Sequence, residues 1–274
     1  METAAAHQIT SDLRQSPAYA KYMTSIGWQV VNIDSLQVFI KSLGILGSIA
    51  KIQRVGLPLP WRKLKPVLRQ HRVWMTKLEP INYDSRIKQW GFRQDNWPLL
   101  ASKTLRLNLT QSLKDLEKQF KKDTRYSLRK AKKIKLAIEK NNWDNFYQLW
   151  KKANQVKKLW TPPKTYFDSL IAAFDNNCFC LTVNNLAGAF VLIHNQVAYY
   201  YYAGSLPEAK KQFFPYQVVW LCLQEATSRG CKVWDWEGIY DSRWPTKSWQ
   251  GFTHFKKSFG GYELSFPGSF TRWL

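Results

Sequence analysis

Apolar positions along the chain fall into helix-like and strand-like periods, and the same order of elements occurs twice. After Ser16-Pro17, the residues Tyr19, Tyr22, Met23 and Ile26 recur at helical spacing, and Gly27 ends the stripe. Residues 28–33 and 36–40 read as strands with Asp34-Ser35 as the hairpin turn between them. A further apolar run at 45–52 leads to Pro58 and Pro60, which break regularity before a basic helix at 61–70 and a strand at 73–78. Residues 83–98 are loop-rich. At 104–109 the chain alternates, with Leu105, Leu107 and Leu109 on one strand face. Thr110 and Ser112 then offer capping oxygens to a helix that continues through Phe120.

The second half repeats that plan. Residues 143–160 and 164–174 read as helices separated by Thr161-Pro162-Pro163, and strands follow at 178–183, 186–193 and 196–202. Asn184-Asn185 and His194-Asn195 suit tight turns, so these strands form an antiparallel meander. A helix at 214–229 places Val219, Cys222, Leu223 and Ala226 on one side and stops at Gly230, and a strand at 231–236 closes the repeat. Hairpin strands, a helix and one more strand occurring twice imply an α/β chain built as a tandem pair of domains.

Charge narrows the class of partner. The 274 residues include 41 Lys and Arg against 19 Asp and Glu, a formal net charge of +22, which calls for a polyanionic partner or surface, nucleic acid or anionic membrane. Between Lys121 and Lys140 nine cations face two acids, and on a helix Arg125, Arg129, Lys132 and Lys133 make one cationic stripe. Fourteen Trp supply ring faces for packing and for stacking on bases or sugars. The cysteines Cys178, Cys180, Cys222 and Cys231 lack zinc-ligand spacing and read as buried free thiols in a reducing compartment. No signal-peptide pattern opens the chain and no run of 18 apolar residues occurs, so a cytoplasmic location is expected, with peripheral contact at the inner membrane surface admissible.

The chemistry concentrates in residues 234–261, where aromatic side chains alternate with ammonium groups and Phe255-Lys256 is followed, after three residues, by Gly260. Rings and cations in this arrangement suit the end of a nucleic acid. Three further stretches matter: Arg14-Gln15-Ser16-Pro17 with Gly27-Trp28, Thr124-Arg125-Tyr126 through Arg129-Lys130-Ala131, and the Tyr-rich strand at 199–205. In order and spacing these parts resemble the FemABX aminoacyltransferases across nearly the whole chain.

That resemblance implies two acetyltransferase-like (GNAT) domains in the compact form without a coiled-coil arm, at 1–141 and 142–264, with 265–274 returning to the first. It implies transfer of an amino acid from aminoacyl-tRNA to an amine on the stem peptide of a peptidoglycan precursor, whether lipid-linked or nucleotide-linked, in cell-wall synthesis. Phe255 and Lys256 match the pair at the tRNA end. Tyr202, with Tyr200 on the same strand face, resembles the precursor-contacting tyrosine, and Tyr166 resembles the tyrosine of an Arg-x-x-x-Tyr pair that holds a diphosphate. Two positions depart from the pattern: Pro162 stands where that Arg is expected, leaving Lys164 or Lys158 as substitutes, and Met23 stands where a lysine is frequent.

An aminoacyl ester is already activated, so transfer needs alignment, loss of a proton from the amine, and a partner for the oxyanion or departing alkoxide. Lys256 is the expected cation, Phe255 the ring under the terminal adenine, Asp235 with Glu237 the group that orients or deprotonates the amine, and Arg125 with Arg129 the phosphate contacts. No metal and no cofactor beyond aminoacyl-tRNA as co-substrate is expected. There is no nucleophile elbow and no P-loop, and His7, His71, His194 and His254 fall into no catalytic pattern. Competing expectations are a coenzyme-A-dependent N-acyltransferase, for which Gly-Ile-Leu-Gly at 44–47 is only a distant imitation of the pyrophosphate loop, a non-catalytic tRNA- or RNA-binding protein on the same scaffold, and transfer to a protein amino terminus.

Overall fold

The computed structural model describes residues 11–274; the opening segment read for a signal peptide, with His7, lies outside them. Helix α1 (Pro17–Ser25) begins behind Ser16, whose hydroxyl accepts from the Tyr19 amide, and Pro17 sits where a helix needs no donor. Strands β1 (Gln29–Ile33), β2 (Leu36–Ser42) and β3 (Ser48–Gln53) form an antiparallel meander. Helix α2 (Trp61–Gln70) then crosses to β4 (Val73–Glu79), which lies parallel to β3. Next come α3 (Arg86–Gln89), β5 (Arg93–Gln94), β6 (Lys103–Asn108), α4 (Leu113–Lys118), α5 (Lys122–Ala131) and β7 (Ile138–Lys140).

Helices α6 (Trp143–Val156) and α7 (Lys164–Phe174) precede a second meander of β8 (Cys178–Val183), β9 (Ala187–His194) and β10 (Val197–Ser205). After the short α8 (Pro207–Lys211), helix α9 (Phe214–Ser228) crosses to β11 (Val233–Asp235), parallel to β10. The chain closes with α10 (Trp249–Lys257), β12 (Tyr262–Ser265) and β13 (Phe270–Trp273). Meander, crossover helix and parallel partner thus occur twice, the plan of tandem acetyltransferase-like (GNAT) domains.

Two sheets result. One has the order β1-β2-β3-β4-β13-β5 and the other β12-β6-β11-β10-β9-β8-β7. The chain divides into two compact units, one holding the residues up to Pro98 with Pro267–Leu274, the other Leu99–Phe266. The boundary expected at 141 therefore moves to Pro98. The reason is β6: its alternating leucines pair it with β11 and β12, so it belongs to the second sheet, and α5 packs on α9 of the same unit.

Each unit has its own core. In the first, Val38, Ile40, Ile52, Leu64, Leu68 and Leu78 lie between sheet and α2. In the second, Leu105, Leu107, Val191, Ala198, Trp234 and Trp236 of the sheet meet Phe120, Val219 and Leu223. The four cysteines are buried free thiols, and burial pushes Cys178 and Cys180 up to about 12, so these thiols are poor nucleophiles. Among the described residues no helix is long and apolar enough to cross a membrane.

Candidate active site

In the second unit the parallel strands β10 and β11 pair only from Val197↔Val233 to Tyr199↔Asp235. Strand β10 continues to Ser205 while β11 stops at Asp235, so the two part and residues 200–205 have no β11 partner. On the β10 bank a bulge at Tyr201 interrupts the register with β9 between Tyr200↔Val191 and Tyr202↔Phe190. On the β11 bank the backbone turns at Glu237 (φ 59) and Gly238 (φ 141). A Cβ at Gly238 would lie 2.6 Å from that of Ala101, so only glycine fits the turn.

This turn points two carbonyls at Lys256. The ammonium Nζ donates to Trp236 O at 2.8 Å and to Gly238 O at 2.7 Å, and it lies 4.7 Å from the centroid of the Phe252 ring. One N–H remains for a further acceptor. Burial lowers the Lys256 pKa from 10.5 to about 8, with the charges of Glu237 and Asp235 opposing the shift. Helix α10 is tied to the turn by the Tyr240 amide, which donates to Thr253 Oγ1 at 2.7 Å, and to α5 by Thr124 Oγ1, 2.8 Å from Ser258 Oγ.

Phe255 is half-buried, edge-on to Tyr216 at 5.0 Å and to Phe259 at 5.3 Å. Its ring is the rim of the core as much as a platform. Tyr200 packs on the same side of the sheet, against Trp234 and Trp236 at 5.5 and 5.1 Å, and burial pushes its phenol well up, with the neighbouring Cys222 adding to the shift. Tyr202 stacks on Trp150 of α6 at 4.1 Å. The expectation that Tyr200 and Tyr202 share a strand face is therefore corrected: the bulge at Tyr201 adds one residue and sends the two rings to opposite faces.

Asp235, expected to act on the attacking amine, is buried and accepts from Thr104 Oγ1 at 2.6 Å, Arg106 Nε at 2.7 Å and the Glu237 amide at 2.9 Å. Its carboxylate thereby fixes the turn that carries the two carbonyls facing Lys256. Asp241 is likewise engaged by Ser102 and Arg243. Tyr166 stands exposed in the first turn of α7, next to Phe167, which packs 6.3 Å from Trp150. Lys164 is paired with Asp144 and Asp168.

On α5, Arg125 donates to Lys118 O at 2.9 Å and Arg129 and Lys130 are exposed; the helix ends at Ala131, so Lys132 and Lys133, also exposed, lie in the turn after it and the expected stripe does not run on one helix. Sequence reasoning missed Arg106, Thr104 and Trp236. The first two alternate with the buried leucines of β6 and read as outward polar positions; the signal was a buried partner, Asp235, visible only once β6 and β11 pair. Trp236 contributes its carbonyl to Lys256 and a buried indole N–H with no hydrogen-bond partner among the described residues. Among the described residues no group of three or more His, Cys, Asp or Glu is arranged to hold a metal ion.

The repeated meander and the parting of β10 from β11 define the acetyltransferase-like fold. Residues 181–273, which include the bulge, the turn and Lys256, match the model of the FemAB family. The structure is similar to the crystal structure of FemX, at 16% identity and a TM-score of 0.79, over 96% of this chain and 92% of that one. It is also similar to L-PGS from Bacillus licheniformis (10% identity, TM-score 0.62, covering 92% of this chain and 86% of that one). A third likeness is to the C-terminal domain of a putative lysylphosphatidylglycerol synthetase from Agrobacterium fabrum (16% identity, TM-score 0.60, covering 94% and 87%). No curated protein matches the sequence. These findings show an acetyltransferase-like fold shared with FemX and a FemAB-like segment at residues 181–273.

Proposed function

We propose that the protein moves an aminoacyl group from aminoacyl-tRNA to an amine on the stem peptide of a peptidoglycan precursor. The observation that carries this reading is Lys256: a positioned ammonium, held by two carbonyls at the end of β11, within the FemAB-matched segment. In the reaction the amine nitrogen forms an amide bond with the ester carbonyl carbon, and the bond from that carbon to the ribose oxygen breaks. The amine's proton ends on the ribose oxygen. An ammonium with a pKa near 8 stabilises the oxyanion and supplies a proton to the departing alkoxide, and the proton lost by the amine nitrogen restores Lys256, so that the net transfer is from amine to ribose oxygen.

The other residues divide the remaining work. The exposed edge of Phe255 receives the terminal adenine, and Arg129 with Lys132 and Lys133 holds tRNA phosphates, Arg125 bracing α5 through Lys118. Tyr202 and Tyr166 meet the precursor from the α6 side, and Tyr200 forms the wall behind the turn. The chain works without a covalent acyl-enzyme, because the donor ester is already activated.

The test offers labelled aminoacyl-tRNAs together with nucleotide-linked and lipid-linked muramyl pentapeptides. A branched product whose mass has grown by one aminoacyl residue is expected. Acyl transfer from coenzyme A thioesters with no tRNA-dependent product would replace this reading with an N-acyltransferase, and RNA binding indifferent to the aminoacyl group, without product, would replace it with a binding protein.

A further inference from the structure

The first unit carries an apolar projection that the transfer reaction does not use. The β2–β3 connection raises Leu43, Ile45 and Leu46 into solvent, with Ile45 90% and Leu46 71% exposed. These are not frayed residues. The Leu43 amide donates to Gly47 O at 2.8 Å, Arg72 donates from its guanidinium to Ile45 O at 3.4 Å, and the Ser48 amide donates to Arg72 O at 2.9 Å. Gly47, at φ +86, is required: a Cβ there would lie 2.7 Å from Arg72 O and 3.2 Å from the Trp74 ring. The tip is thus held out by its own backbone, at an ordering cost already met in folding.

The tip has a rim of indoles. Trp74, against Gly47, stacks on Trp273 at 5.6 Å and 24°, Trp273 is 62% exposed, and the Leu274 amide donates to Trp74 O. The sheet register explains the grouping: β3 and β4 start, and β13 ends, at the same end of the sheet. Cations complete it. Residues 35–78 include no Asp or Glu, and exposed Arg69 and Arg72 stand at the end of α2 and just past it.

We propose that this tip docks the protein on an anionic phospholipid surface, Ile45 and Leu46 entering the acyl boundary, Trp74 and Trp273 lying at headgroup level, and the surrounding cations meeting lipid phosphates. Each part has its physical reason. A projecting aliphatic tip suits a deformable apolar medium, which needs no matching pocket to receive it. Indoles favour the water–hydrocarbon boundary because one edge is apolar and the other donates. Exposed Arg69 and Arg72 beside the tip, in a stretch without Asp or Glu, are complementary to an anionic headgroup layer. The inference goes beyond the proposed transfer and does not depend on it, since transfer to a nucleotide-linked acceptor proceeds with no vesicle present.

The experiment is co-sedimentation of the full chain with phosphatidylcholine vesicles, with and without phosphatidylglycerol, at low and high salt. Wild type is compared with Ile45→Ser/Leu46→Ser, which keeps every backbone bond of the loop and is checked by circular dichroism. Wild type is expected to sediment with phosphatidylglycerol vesicles. The variant should bind at least about tenfold more weakly, the factor expected when two aliphatic side chains forgo even partial transfer out of water. That deficit should persist at high salt, which screens charge and leaves apolar insertion intact.

Equal binding by variant and wild type, or a deficit that vanishes with salt, would reduce the interaction to charge alone and overturn the proposal. So would failure of wild type to bind these vesicles, or self-association of wild type, abolished in the variant, without vesicle binding; the latter would assign the tip to a second copy of the chain.

Discussion

At the scale of single residues, the decisive arrangement is an ammonium placed where charge is costly and held by two carbonyls over the Phe252 ring. Lys256 with a pKa near 8 holds its proton loosely enough to donate it and retains it at neutral pH. The acceptor amine must lose a proton, so transfer should rise with pH at first and then fall as pH passes about 8 and Lys256 is neutralised. Lys256→Arg, charged throughout, should lack the falling limb even if slower; initial rates against pH for both proteins decide this. Linkage to stability has the opposite slope. Because the folded pKa lies below 10.5, the unfolded chain binds more protons between about 8 and 10.5, and the contribution of Lys256 to stability rises with pH across that window. Beneath it, Arg106→Ala should strand the buried Asp235 and cost about 3–5 kcal/mol in denaturant unfolding. Lys256 and Asp235 were both legible in advance from the local motif, whereas Arg106 was not, because its pairing with Asp235 spans two strands far apart in sequence.

At the scale of elements, the meanders, crossover helices and parallel strands follow from periodicity and turn residues, as at Asn184-Asn185, whose φ values of 50 and 52° are those a tight hairpin demands. The bulge at Tyr201 did not, for a physical reason. Alternation is read from contrast between apolar and polar neighbours, and four consecutive tyrosines at 199–202 offer none, so an added residue leaves no trace in the pattern. The cationic run was legible from charge, but its division was not: Arg125 turns back to Lys118 O, while Arg129 on α5 and Lys132 and Lys133 in the turn after it are exposed. Replacing Arg129 and Lys133 with alanine should therefore weaken aminoacyl-tRNA binding and lower the slope of log affinity against log salt by about 0.7–0.9 for each phosphate no longer neutralised. The rate at saturating tRNA should change little. A salt titration of binding measures the first and a single-turnover assay the second.

On the scale of the whole chain, distant stretches of the sequence are woven into each unit in a way no local pattern announces. The alternating leucines of β6 identify a strand but not its sheet, which is why the boundary falls at Pro98. Strand β13 joins β4 and β5 in the first sheet, and the hydroxyls of its Thr271 and of Ser269 just before it donate to Asp95, the partner of buried Lys77. Ending the chain after Phe266 should consequently lower the unfolding temperature of the first unit and separate it calorimetrically from the second. The account as a whole turns on whether tRNA-borne ester is what Lys256 helps to break. Single-turnover transfer from labelled aminoacyl-tRNA to a muramyl pentapeptide amine, compared between wild type and Lys256→Ala with tRNA affinity measured alongside, tests it most directly. The expected result is a rate lowered by about two orders of magnitude or more with affinity nearly unchanged; an unchanged rate, or a loss wholly explained by weaker tRNA binding, would contradict it.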